Sequence, residues 1–284
     1  MGVIPPHACV NTGWQANLLL RFARAAGGRT ILSERRHRGP LQVQRPFYPE
    51  ANGTCHVYIL HPPGGVVGGD RLAIEAELAP GAQVLLTTPA AGKFYRSSEA
   101  TAQQTQILRV AAGAALEWLP QETIVFKGAQ VRSLTRVELT GDAGFIGWEI
   151  LCLGRPAAGE IFERGVCRLS FEIWRDGLPL YLEQGHYKGG SELLQATWGL
   201  RGLPVTATLV CVTGITGLVE RVRAAAGELV ADEWFSASQL DGVLVCRYLG
   251  SSGERARRLF SRAWTILRPA VWDRMACPPQ IWST

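Results

Sequence analysis

Short apolar runs of period two, cut off by glycine and proline roughly every 8–15 residues, constrain this chain more than any other feature. Leu18, Leu20 and Phe22 alternate with Leu19, Arg21 and Ala23. Leu72, Ile74, Ala76 and Leu78 share one face of a segment whose other face carries Glu75 and Glu77. Such alternation sets one face of a strand in a core and the other in water. The same reading predicts strands over 18–23 and 29–34 (a hairpin), 54–60, 71–79, 83–88, 101–110, 116–126, 131–139, 166–175, 178–184 and 206–213. In 101–110, Ile107 and Val110 are the expected apolar positions. Segment 145–153 is apolar except for Glu149, which suits a strand buried on both faces. The spacing is too short for strand–helix–strand units, so the class is all-β. No fixed-period repeat is visible, and a solenoid does not follow from periodicity. Two helices are expected late in the chain, over 218–229 and 253–268. The second places Ala256, Leu259, Phe260, Ala263, Trp264 and Leu267 on one stripe, with Arg255, Arg258 and Arg262 opposite and Pro269 as its stop. Nothing resembles a linker, so residues 1–284 read as a single domain.

The net charge is +5, and the arginine-rich excess reads as dispersed. That favours a solvated surface or an acidic protein partner over nucleic acid. No apolar run is long enough to span a membrane. Met1 to Asn11 lack the basic and apolar regions of a signal peptide. The seven cysteines are widely spaced, with no Cys-x-x-Cys pair. Cys152, Cys167, Cys211 and Cys246 lie in apolar strand-like text and read as small buried hydrophobes, and the usage fits a reducing, cytoplasmic setting.

The most irregular stretch is His61-Pro62-Pro63-Gly64-Gly65-Val66-Val67-Gly68-Gly69-Asp70. It can be neither helix nor regular strand. A phosphate-binding loop would need a helix after it, and period-two text follows instead. Asp70 caps the turn through backbone N–H groups, or serves as an oxygen ligand for a passing cation. No two of His7, His37, His56, His61 and His186 stand at the spacing of a local metal site. No high-affinity metal site is legible. A second dense segment contains Thr87, Thr88, Lys93, Tyr95 and Arg96. Nothing nearby would activate Lys93 as a nucleophile or Tyr95 as an acid, so it reads as a packed turn whose cations pair with carboxylates.

These two segments, with Leu116-Glu117-Trp118-Leu119-Pro120-Gln121-Glu122, Gly147-Trp148-Glu149, Gly154-Arg155-Pro156, Leu267-Arg268-Pro269 and Pro279-Gln280-Ile281-Trp282, resemble the UreD (UreH) family of urease accessory proteins over nearly the whole chain. The resemblance implies a β-helix-like stack of many short strands with two short C-terminal helices. It implies a chaperone without catalytic activity that binds the urease apoenzyme and accessory protein F directly, and accessory GTPase G through the complex. That assembly delivers nickel, so the implied cofactor state is no tightly bound group and transient Ni²⁺. Asp70 and Glu149 are the candidate acids, as nickel-transit or as structural groups. The alternative is a β-helical carbohydrate-active enzyme, which would need a cluster of exposed carboxylates along one face; the sequence offers isolated acids.

Overall fold

A computed structural model describes residues 13–283. His7, Cys9 and the segment weighed as a signal peptide lie outside the described residues. The strands are β1 (Gln15–Arg24), β2 (Thr30–Arg38), β3 (Gln42–Val43), β4 (Cys55–Leu60), β5 (Arg71–Leu78), β6 (Gln83–Thr87), β7 (Gly92–Phe94), β8 (Ala102–Val110), β9 (Ala115–Trp118), β10 (Thr123–Val125), β11 (Gln130–Leu139), β12 (Gly144–Leu153), β13 (Val166–Arg175), β14 (Leu178–Lys188), β15 (Val205–Val212), β16 (Trp234–Leu240) and β17 (Val243–Gly250). The α-helices are α1 (Glu192–Gln195), α2 (Leu218–Ala226) and α3 (Gly253–Trp272).

The strands wind as a β-solenoid. On one side β4, β6, β9 and β12 pair in parallel, and on another β5, β8, β11 and β13 do the same. A short third side stacks Val66 on β7, β7 on β10, and β10 on the end of β12. Cys55 pairs with Val84, Gln83 with Ala115 and Ala115 with Gly144, so each turn of the solenoid takes 29 to 32 residues. The repeat lies in the backbone, which is why no residue period betrays it. Antiparallel strands close the stack: β2 beside β1 and β14 beside β13 end the seven-stranded sheet, and β15, β17 and β16 extend the ten-stranded one.

Leu18, Leu20, Leu72, Ile74, Leu108, Val137 and Ile173 fill the interior. A second apolar layer forms where α2 and α3 cover the outer face of the larger sheet. There Ala256, Leu259, Phe260, Ala263, Trp264 and Leu267, the stripe expected from sequence, meet Ile146, Trp148, Ile150 and Leu209. β12 is therefore buried on both faces, as its composition required.

Three expectations need correction. α3 runs through Pro269 to Trp272, so it is not short. A proline ring fits helical φ and forfeits one hydrogen bond, and Ala270, Val271 and Trp272 still pack on the helical layer beyond it. Arg255 and Arg262 do not face away. Arg255 grips both oxygens of buried Glu233, and Arg262 donates to the Ala226 carbonyl at 2.9 Å, leaving Arg258 exposed with Glu254. In β8 the inward residue is Gln106, and Ile107 is only half-buried.

Candidate functional site

The two dense segments meet. Val66 lies beside Phe94, with its N–H donating to the Lys93 carbonyl at 2.7 Å and its carbonyl accepting from Tyr95 N–H at 2.9 Å. Close approach dictates the glycines. A Cβ on Gly65 would stand 2.1 Å from the Tyr95 ring, and one on Gly68 would stand 2.0 Å from the Ser97 hydroxyl oxygen. Tyr95 in turn packs edge-on against Phe126. Pro62, Pro63 and Gly64 form the exposed tip, and Gly69 has φ 92 just before Asp70. Asp70 is buried; its Oδ1 accepts from Trp14 N–H at 2.8 Å and its Oδ2 from Val67 N–H at 2.9 Å. Thr87 donates to the Leu119 carbonyl at 2.6 Å and accepts from the Trp282 indole, while Thr88 accepts from Gln121 N–H. Lys93 and Arg96 make no ion pair among the described residues, contrary to the expectation that these cations meet carboxylates. Lys93 instead borders the cavity beneath the two segments.

Beneath the loops lies a cavity of about 420 Å³ whose wall is mostly apolar, with His61, Lys93, Gln104, Gln106, Ser133 and Glu149 among its polar members. Its interior polarity has a definite origin. Along the solenoid, inward positions stack in rows: Leu72, Gln104, Ser133 and Leu169 in one, Ile74, Gln106, Thr135 and Phe171 in the next. Each row is apolar at both ends and polar in its two middle rungs. Glu149 faces this island from β12. Its carboxyl contacts the Thr135 hydroxyl, which also bonds Gln106 at 3.0 Å. Protein encloses the group, and what surface it retains borders the cavity. Burial pushes Glu149 up to about 7, against the hydrogen bond from Thr135, with the nearby Glu183 charge adding to the rise. Glu183 continues the polar path: it accepts from Arg247 at 2.8 Å and from Thr208, which pairs with Glu149 across β12 and β15. At the loop end, burial pushes His61 down, opposed by the Asp70 charge, and its Nε2 has no hydrogen-bond partner among the described residues.

Sequence reasoning missed a second set of buried charges. Arg268, fully buried on α3, donates from Nε to Glu117 at 3.0 Å and from Nη2 to Glu50 at 2.8 Å. Trp264 donates its indole N–H to the other Glu117 oxygen at 2.7 Å, and His56 Nε2 lies 2.7 Å from Glu50. Burial works against the Glu50 carboxylate, yet the His56 and Arg268 hydrogen bonds and the Arg268 charge hold it at about 2. The only sequence signal was an acid and an arginine embedded in otherwise apolar text, 151 residues apart.

Among the described residues no group of three or more His, Cys, Asp and Glu is placed to hold a metal ion. Cys55, Cys152, Cys167, Cys211 and Cys246 are buried and free, and burial pushes their thiols up, Cys55 to about 11 and Cys152 and Cys246 to about 12. No helix of the described residues is long and apolar enough to cross a membrane.

Comparison with known proteins agrees with the geometry in extent. The family described as UreD urease accessory protein matches residues 15–283, from β1 to the last described residue. A urease accessory protein UreD of Dechloromonas aromatica is 49% identical over 99% of this chain and 97% of its own length. Those of Pseudomonas fluorescens and Klebsiella aerogenes are 48% and 43% identical, covering 98% and 99% of this chain and 98% and 100% of their own.

Proposed function

The chain belongs to the UreD family of urease accessory proteins, and from that premise we propose that it is a non-catalytic chaperone of urease maturation through whose interior nickel passes. In this reading it binds apo-urease and accessory protein F directly and accessory GTPase G through the complex, in the cytoplasm, and GTP hydrolysis drives nickel insertion. The observation that carries the transit is Glu149, an acid that faces the polar rungs of the solenoid and makes no ion pair among the described residues. Isolated carboxylates are expensive to bury. A hydrated divalent cation would replace the missing counter-charge as it passes, and oxygen ligands would release it again. Asp70 enters as the anchor of the loop above the cavity, since backbone N–H groups already take both its oxygens.

The carbohydrate-active alternative draws less support. It needs a free pair of carboxylates across a glycosidic bond. On the outer face of the seven-stranded sheet, Glu75, Glu77 and Glu138 all contact Arg109, and Glu172 is held by Arg136. Reconstitution from purified apo-urease and accessory proteins F and G tests the proposal. Co-elution of all four chains with nickel-dependent urease activation is the expected result. Activation that proceeds equally well without this chain contradicts it.

A further inference from the structure

The seven-stranded sheet ends at β2, which pairs with β1 alone. Beyond Thr30, whose N–H reaches the Gly53 carbonyl, the outer edge of this nine-residue strand makes no backbone hydrogen bond among the described residues. Its second half reads Arg35-Arg36-His37-Arg38, and all four side chains are exposed. Three arginines and a histidine thus stand side by side at one sheet edge.

The charge here differs from the rest of the sheet. Arg21 is matched by Glu34 and Glu77, Arg109 by Glu75, Glu77 and Glu138, and Arg136 by Glu172. On the edge, Arg36 touches Glu34, which already serves Arg21. Arg35, His37 and Arg38 have no ion pair or hydrogen bond from their side chains among the described residues. Successive strand residues point to opposite faces. Arg36 and Arg38 lie opposite Leu19 and Asn17 on the outer face, and Arg35 and His37 opposite Leu20 and Leu18 on the other. A strand added at this edge would meet cations on both of its faces.

We propose that the free edge of β2 docks an extended acidic segment of a partner protein, which adds as a further strand with its carboxylates alternating between the two pairs of basic side chains. Unpaired edge groups supply the backbone bonds of such an addition, and the charges select its sequence and speed its arrival. The proposal rests on the reading that the chain works in complex with other proteins. Charged edges also serve simply to keep sheets from pairing with one another, and the experiment separates the two.

Binding of the purified chain to apo-urease, accessory protein F and accessory GTPase G is measured separately, at low and high salt, for the wild type and for R35E/R36E/R38E. A duplex DNA serves as a non-protein polyanion. The triple reversal should leave the melting temperature near that of the wild type, because all three side chains are exposed; R35Q/R36Q/R38Q gives the same test without added negative charge. One of the three proteins should bind the reversed chain about tenfold or more weaker, and its affinity for the wild type should fall with salt. Undiminished binding of all three to the reversed chain overturns the proposal and leaves the charges as an edge guard. Loss confined to DNA overturns the protein partner. A wild-type chain that binds none of them fails the complex itself, and the docking with it.

Discussion

Two sets of buried acids lie on the two sides of one sheet, and they are treated in opposite ways. Outside it, under α3, Glu117 and Glu50 share a guanidinium, an indole N–H and an imidazole. Inside it, Glu149 has the Thr135 hydroxyl and, among the described residues, no ion pair. In the first set Arg268 and His56 hold Glu50 at about 2, although burial pushes Glu117 up against the Arg268 charge; the second leaves a carboxyl at about 7. The paired acids fasten the C-terminal helix to the solenoid. The unpaired one is the acid on which the proposed nickel transit rests.

The contrast breaks most visibly at Arg268. Arg268→Met removes the one guanidinium and strands two buried acids, which should destabilise the fold by about 3–5 kcal/mol. Urea unfolding at pH 7 measures this, and a loss under 1 kcal/mol would mean that the cluster relaxes into water. The expected effect at Glu149 is smaller and of opposite sign. Its folded value is raised above the unfolded one, so the folded state holds a proton that the unfolded chain has released. Stability therefore falls as pH rises from about 4.5 to about 7 and is level beyond. Glu149→Gln should remove that fall, gaining about 2–3 kcal/mol over the wild type at pH 8 and almost nothing at pH 4.5. Parallel denaturation curves at the two pH values test the sign. Least affected is the exposed Arg258. Charge reversal to Glu breaks one i,i+4 pair with Glu254, about 0.5 kcal/mol. If Arg258→Glu unfolds the protein, the face assigned to it on α3 is wrong.

Most strands, with α2 and α3, were legible because period-two and helical stripes both report on one buried face, whereas β16, β17 and the single-turn α1 lie outside every expected segment. The apolar stripe of α3 and the double burial of β12 could be read directly from residue order. The polar island could not. In β8, Gln103 to Gln106 are polar on both faces, so alternation does not say which face turns inward, and Ile107 drew the assignment the wrong way. Only the rung register, which stacks Gln104 and Gln106 on Ser133 and Thr135, places them in the interior. The Glu117–Arg268 pair was hidden for a different reason: a contact across 151 residues leaves no local pattern. Lys93 and Arg96 failed in the other direction, since dense local charge suggested ion pairs that neither side chain makes among the described residues.

Nickel in urease tests the division of labour most directly. Urease is activated in the reconstituted complex with wild-type chain or with Glu149→Ala, which leaves no side-chain oxygen at that point in the cavity, and nickel per active site is measured by elemental analysis. The account predicts that the variant assembles with F, G and apo-urease as the wild type does and yields urease with clearly less nickel. A full complement of nickel in urease matured with the variant would contradict it.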